Sequence, residues 1–598
     1  MRPKKKKKEF NDLLIPVIVI LLILPFVTRL LVYESGFDRF PWFPEQDLLS
    51  DFFSYYKSFG LVLTAVVSGI ILAVYFMLYR TRIKNMKMFI PLGVYSLLIA
   101  VSTLFSVDVH TSMAGGMAHF ENTFVLIGYV IIAAYTYQMV QSEEDFKNLL
   151  KVLVLSVIIL GVLGLLQMSG KDAFGFNWFQ KLIIPRDYWE DYVGNIKNHL
   201  STNAVSLTLF NPNYASVYVS MLIPVFMVRL LSEENKKIKV TYGILLGILF
   251  LIQFKTYSRT GFLSLLVSFT FMAYFYRSRL KHMRSACLAG FALILVLFLL
   301  VDAFSSFRFI TKLGDTMKSF NRVENEKPLE AIYTDKDFVV INYMGEELQI
   351  TFGESIADNS PRFKNAAGEE LGGDYNPDTG KLEVTPFQNM KFTQDIREGQ
   401  DILTVRIDDY DWIFGYNKEE GYYYINDFGK TEKLVSVPAF GFENYGHIAS
   451  GRGYIWSRSI PLLLKNPLIG TGPDTFPIVF PQGDHVGKAN YCKTPYTIIE
   501  RPHNMYLQIG IQTGILSLIL FLAFYFIYFL QSVQIYSRIK SGGYAWQLGL
   551  GCFLATISYM ISGLFNDSTL QTSPAFWVFL GLGMAANHRL KPHAFSCK

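Results

Sequence analysis

LLIPVIVILLILPFVTRLLV, residues 13–32, carries one charged side chain, Arg29. As a helix the run would rise about 30 Å, the thickness of a bilayer core. LSLILFLAFYFIYFL (516–530) repeats the pattern with no charge at all. Hydrocarbon cannot satisfy open backbone groups, so such stretches must be helical. The rest of the chain agrees: of 598 residues, 51% are apolar and only 17% charged. That balance points away from a set of soluble domains and towards a membrane body.

Working outward from these runs, spans are expected near 13–32, 59–79, 88–105, 122–140, 149–168, 211–231, 240–256, 260–277, 285–303, 505–531, 545–565 and 574–590. The expected fold is therefore an all-α polytopic membrane protein of about twelve transmembrane helices. Loop charges set its orientation. Arg80, Arg82, Lys84 and Lys87, then Lys236, Lys237 and Lys239, then Arg277, Arg279, Lys281 and Arg284, then Arg538 and Lys540 all fall on the N-terminal side of this count. Loops 106–121 and 566–573 have no Lys or Arg. The positive-inside rule then places both termini in the cytoplasm. The first apolar run is long and lacks a small-residue cleavage pattern, so it reads as a retained helix. The tract Lys4–Lys8 beside it suits anionic lipid headgroups better than nucleic acid.

Residues 304–504 do not span. Their middle, 321–447, holds 25 acidic against 12 basic residues. FVVINYM, LQITF, KLEVTPF, ILTVRI, GYYYIND and KLVSVPAF alternate polar and apolar positions, with Gly, Asn, Asp and Pro between them. This is the pattern of antiparallel strands, so an extracytoplasmic β-rich inserted domain is expected. It reads equally as a spacer or as a module for a glycan or partner. Trp412, Tyr422, Tyr423 and Tyr424 either stack on sugars or form its core. Asp408-Asp409-Tyr410-Asp411 reads as a solvated turn or an incidental cation site. The four cysteines show no disulfide framework or zinc spacing. No phosphate loop or dinucleotide fingerprint occurs, which argues against a cytoplasmic nucleotide-driven enzyme.

The chain thus divides into an N-terminal membrane region (1–303), the β-rich insert (321–447), a loop with an amphipathic helix (448–504) and a C-terminal membrane region (505–598). Polar residues suited to chemistry gather in the third. GRGYIWSRSIPLLLKNPLIGTGPDTFPIVFP (451–481) places Arg452 and Trp456 four apart on one helical face and also holds Arg458. ERPHNMYLQIGIQTGILSLILF (500–521) places Arg501, His503 and Asn504 where a span begins. KTYSRTGFLS (255–264) adds Arg259. Arg259 follows seven spans, and Arg452 and His503 follow nine, so all three share one face. Each has a plainer reading: interfacial His, snorkelling Arg, belt Trp. Asn211 and Asn213 flank Pro212 and fit helix capping better than cavity lining. Gly510 and Gly514 would let helices pack closely.

Taken in order, these segments resemble the bacterial O-antigen ligase and polymerase superfamily. The resemblance rests on GRGYIWSRSIPLLLKNPLIGTGPDTF, then RPHNMYLQIGIQTGILSL, with YSRTGFLSLL and LFNPNYASVYVSMLIP (209–224) upstream. It implies a GT-C-like glycosyltransferase in the bacterial cell (inner) membrane, with an extracytoplasmic active site. The donor would be a glycan on undecaprenyl diphosphate, and the acceptor a hydroxyl of a glycan or another envelope acceptor. His503 would be the general base. Arg452 and Arg259 would stabilise the diphosphate leaving group. Arg501, Arg458, Trp456 and Asn504 would contact substrate. No metal or other cofactor is expected. His119-Phe120-Glu121-Asn122 departs from the family's Arg beside a Glu-Gly pair, and no role passes to Glu121. Two other classes compete: a multi-pass transporter of an envelope precursor, and a membrane-anchored glycan-binding scaffold.

Overall fold

Proline decides where the first apolar run stops being helical. The computed structural model describes residues 11–595 except 81–82, 118, 197–203, most of 283–326, 354–359, 372–373, 398–399, 443–444 and 493. In it the first helical stretch is Asp12–Phe26. A π-helical turn, Val19–Ile23, precedes Pro25, and Val27 is already extended. Proline lacks the amide proton and clashes with the preceding turn, so the helix ends there. The Arg29 and Leu30 amides donate instead to Phe52 and Ile183. Leu31–Glu34 (β1) then pairs antiparallel with Leu48–Asp51 (β2). The expected first span is thus shorter than its apolar run.

Among the described residues, seven helices are long and apolar enough to cross a membrane. They are Tyr55–Leu78 (α1); Ile90–Leu104 (α2), preceded by the 3-10 turn Lys87–Phe89; Glu143–Met168; Pro212–Ser232; Lys236–Lys255; Ile515–Arg538; and Tyr544–Ser562. Val109–Ala114 (α3) and Thr123–Met139 (α4) precede Glu143–Met168 (α5), Pro212–Ser232 (α6) and Lys236–Lys255 (α7). Arg259–His282 (α8) follows, and Ser573–Phe595 occupies the last expected span. The ninth expected span, 285–303, lies largely outside the described residues. Length and composition establish seven among the described residues, and two further expected spans coincide with the shorter apolar helices Asp12–Phe26 and Thr123–Met139.

Two helices form the centre. The apolar windows of α6 and of Tyr544–Ser562 are 78% and 89% buried, against 28% for α1. Phe59, Leu63, Val66, Ile70, Val74 and Met77 instead form an exposed apolar stripe on α1 at helical spacing. Water would penalise that stripe and lipid would not. Gly551 lets the two central helices touch: a Cβ there would lie 2.8 Å from the Val225 Cα.

Residues 329–432 form two antiparallel meanders between α8 and Ile448–Lys465 (α9) in sequence. Leu329–Thr334 (β3), Val339–Tyr343 (β4), Glu346–Thr351 (β5) and Arg362–Asn365 (β6) make one, in sequential order. Tyr375–Asn376 (β7) to Thr431–Glu432 (β13) make the other, also sequentially. Trp412, Tyr422 and Tyr424 are each 1% exposed inside their shared core. These rings are core and not a sugar platform. Asp408 and Asp409 form the turn of a hairpin, and Asp411 pairs with Arg406. The sheets are tied to the segment that follows: Val486 enters their core, and Asn490 Nδ2 donates to the Leu329 carbonyl at 2.9 Å.

The expected tenth span, 505–531, is two helices, Met505–Thr513 (α10) and Ile515–Arg538 (α11). Tyr544–Ser562 is therefore α12 and Ser573–Phe595 is α13. Gly514 makes the break, at φ 93° and ψ 157°. Side chains rarely adopt that conformation. A Cβ there would lie 2.2 Å from the Leu468 carbonyl oxygen. The Ile515 amide donates to the Pro467 carbonyl at 2.7 Å across the same gap. Gly510 does serve packing, against the Leu463 side chain of α9. Gly514, expected to do the same, turns the chain instead. Gly514→Ala should lower stability by at least ~1–3 kcal/mol, read as a lower midpoint of thermal unfolding in detergent. Gly510→Ala, in regular helix, should cost less.

Candidate active site

The segment before α10 is a sharp corner. His503 adopts φ 51°, a left-handed conformation that costs a non-glycine residue roughly 1–3 kcal/mol. Its neighbours hold it there. Asn504 is the N-cap of α10, its side chain accepting from the Tyr506 and Leu507 amides at 2.9 and 3.0 Å. The same side chain donates to the Leu564 carbonyl at 3.0 Å. Asp567, from the loop between α12 and α13, closes the corner. Its Oδ1 accepts from the Asn504 amide at 3.2 Å and its Oδ2 from His503 Nδ1 at 2.9 Å.

That last contact fixes the chemistry of the ring. Asp567 is 1% exposed, yet His503 and Arg501 outweigh the burial penalty and hold its carboxyl below the usual carboxylate range. An ionised carboxylate can only accept, so Nδ1 carries the proton. Nε2 of the neutral ring is then the basic nitrogen. The His503 side chain is 44% exposed, so it is reachable from outside.

Two guanidiniums stand beside this pair. Arg452 opens the regular part of α9, directly after a kink in which Ala449, Ser450 and Gly451 all have positive φ. Arg452 Nη1 donates to the Ala449 carbonyl at 2.9 Å, and its buried Nε finds no partner among the described residues. Arg259 begins α8, and its Nη2 donates to Ser450 Oγ at 3.0 Å. The turn before it is locked by Gln253, which donates to Ser216 at 2.6 Å, leaving no room for a side chain at Gly261. Burial lowers the Arg452 pKa; Asp567 opposes that shift and Arg259 adds to it. Arg452 lies in the field of a carboxylate already engaged by His503, with a second cation, Arg259, close by. Such an arrangement favours an incoming anion.

Behind the corner lies a buried network. Glu121 accepts from Tyr129 at 2.8 Å, Ser568 at 2.7 Å and Gln508 at 3.0 Å. Gln508 in turn accepts from the Ser568 amide at 2.8 Å. Arg501 Nη1 donates to the Ser568 carbonyl at 2.7 Å. Burial drives the Glu121 pKa up, against Arg501 and the hydrogen bonds. For Arg501 the balance reverses: Tyr214, Glu121 and Asp567 overcome burial and raise its pKa. Glu500 lies 3.0 Å from His119 and is held below the usual range by His119, Arg501 and His503, against burial.

Sequence reasoning and structure meet unevenly. His503, Arg452, Arg259 and Arg501 converge, linked through Asp567 and Ser450. Asn504 holds the corner from below. Trp456 Nε1 donates to the Pro502 carbonyl at 2.9 Å, buttressing the same segment, and its ring lies between Phe442 and Phe565. Arg458 faces elsewhere: it pairs with Asp484 at 2.9 Å and lies over the Tyr454 ring. Asn211 caps α6 by accepting from the Tyr214 amide at 3.0 Å. Sequence reasoning missed Asp567 and gave Glu121 no role. A lone Asp in a cation-free loop between apolar spans was the available signal for Asp567. For Glu121 the local pattern carried none, since its partners lie up to 447 positions away.

Two outcomes follow from this geometry. D567N should remain folded but reverse the preferred His503 tautomer, because a carboxamide NH2 cannot accept from Nδ1–H; any reaction using Nε2 as base should slow on the order of 10³–10⁴-fold. Acid unfolding provides a second check. Asp567 and Glu500 have depressed folded pKa values, so their stabilisation is complete above the unfolded value of about 4. It is lost as pH falls through the folded values. D567N should therefore lose less stability than wild type below about pH 4.

Comparison with known proteins gives one match. Residues 413–522 match the family model described as O-antigen ligase. No curated protein and no solved structure matches the chain. The matched stretch contains α9, Arg452, Arg501, His503 and α10, which are parts of the site just described. Over this stretch the chain is similar to the O-antigen ligase and polymerase superfamily.

Proposed function

We propose that this protein is a membrane-embedded, inverting glycosyltransferase with an extracytoplasmic site. It moves a glycan from undecaprenyl diphosphate to an acceptor hydroxyl of another glycan or envelope component. The observation that carries the reading is the His503–Asp567 pair beside Arg452 and Arg259. Transfer to a hydroxyl requires a base as the new bond forms, and His503 Nε2 is the exposed basic atom. The acceptor oxygen attacks the anomeric carbon, the bond from that carbon to the phosphate oxygen breaks, and the acceptor proton passes to Nε2. The electron pair leaves with the lipid diphosphate. Its growing charge develops where Arg452 and Arg259 stand. Attack from the side opposite the leaving group inverts the anomeric centre. Permanently charged guanidiniums can fill the part a divalent ion plays elsewhere.

Loop charges support cytoplasmic termini and a cell-membrane location, since Lys84, Lys87, Lys236 and Lys591 lie at the helix ends remote from His503. The transporter reading finds less support. It would call for charged groups at midspan, whereas His503, Arg452, Arg259 and Asp567 gather at helix starts and loops.

The test uses purified full-length protein and a lipid-linked glycan donor. His503→Ala and Arg452→Ala should insert and fold while losing transfer by at least a hundredfold. Wild-type transfer by both would remove the site from consideration. Activity abolished by chelator and restored by a divalent ion would contradict an arginine-only leaving-group site. Deleting the gene separates the two transfer types: shortened polysaccharide marks a polymerase, and accumulated full-length lipid-linked chains mark a ligase.

A further inference from the structure

The helix ends remote from His503 carry a second polar cavity. It has a volume of about 320 Å³, at the small end for ligand pockets. Its walls come from the 3-10 turn before α2 and the C-terminal ends of α4, α11 and α13. Lys87, His588 and Lys591 bring cationic or protonatable groups, and Gln531, Gln534 and Asn587 bring carboxamides. Among the described residues, no Asp or Glu lines it.

The balancing charges nearby are already taken. Lys84 donates to the Tyr137 and Val140 carbonyls that end α4. Arg589 pairs with Glu143 at 3.1 Å. Lys87 and Lys591 make no ion pair among the described residues. His588 lies within electrostatic reach of both Lys84 and Lys591. A cavity with this lining is short of negative charge.

We propose that this cavity binds a phosphate ester, its phosphate held by Lys87 and Lys591. The cavity's size suits a headgroup and excludes a long glycan. The chemistry fits either the headgroup of an anionic phospholipid or a soluble phosphate ester. The inference stands apart from the transfer reaction, because none of these residues belongs to the His503 site.

The experiment places the full-length protein in phosphatidylcholine nanodiscs with and without phosphatidylglycerol. Native mass spectrometry counts the retained phosphatidylglycerol. Thermal unfolding with added glycerol 3-phosphate probes the soluble source. Three variants are compared with wild type: K87Q/K591Q, the charge-conserving K87R/K591R, and K236Q, which removes an exposed cation at the start of α7. K87Q/K591Q should weaken retention on the order of tenfold, while K87R/K591R and K236Q retain it. Retention with that dependence identifies a lipid headgroup. A glycerol 3-phosphate stabilisation with the same dependence, without lipid retention, identifies the soluble source. If wild type shows neither, or if K87Q/K591Q matches wild type in both, the proposal is overturned.

Discussion

A carboxylate as buried as Asp567 must be paid for by partners, and the partners it has organise the rest of the site. One oxygen takes the His503 ring and the other takes the Asn504 amide. Arg501 and Arg452 sit in its field. These contacts hold His503 in a left-handed conformation and fix which ring nitrogen carries its proton. The loop bearing Asp567 is secured in turn by Ser568, through Glu121, Gln508 and Arg501.

Backbone strain gathers around this carboxylate. Ala449, Ser450 and His503 all take positive φ, as does Tyr257 two residues before Arg259. Each costs folding energy and each lies beside a residue that the site uses. Packing of the β sheets against the helix His485–Tyr491, through Val486 and Glu432, anchors the far side of α9's segment. The β-rich part therefore contributes to the scaffold around the arginines as well as presenting its own surface.

The two ends of the helix bundle differ in electrostatic design. Near His503, Arg501 and His503 meet the buried carboxylates Glu121 and Asp567, and Arg452 and Arg259 stand close to each other. At the other end the lysines meet backbone carbonyls and carboxamides. The contrast follows from burial: a charge enclosed in apolar surroundings demands a counter-charge, while one near a membrane surface can wait for a headgroup.

The membrane character of the chain was legible in its apolar runs, because lipid imposes a length and a composition that any window reveals. The cluster of Arg452, His503 and Arg259 was legible too, since span parity alone puts them on one face. The boundaries of the spans were not. Pro25 and Gly514 turn the chain inside apolar runs that look continuous, and hydropathy is blind to both. The aromatics of the β sheets could not be placed until Trp412 and Tyr424 were seen buried in a shared core. Least legible was the partner of the catalytic histidine candidate. Asp567 stands 64 positions from His503 and Glu121 stands 387 from Gln508. Composition and periodicity determine that a helix forms; only the packed bundle decides which lone carboxylate meets which lone imidazole.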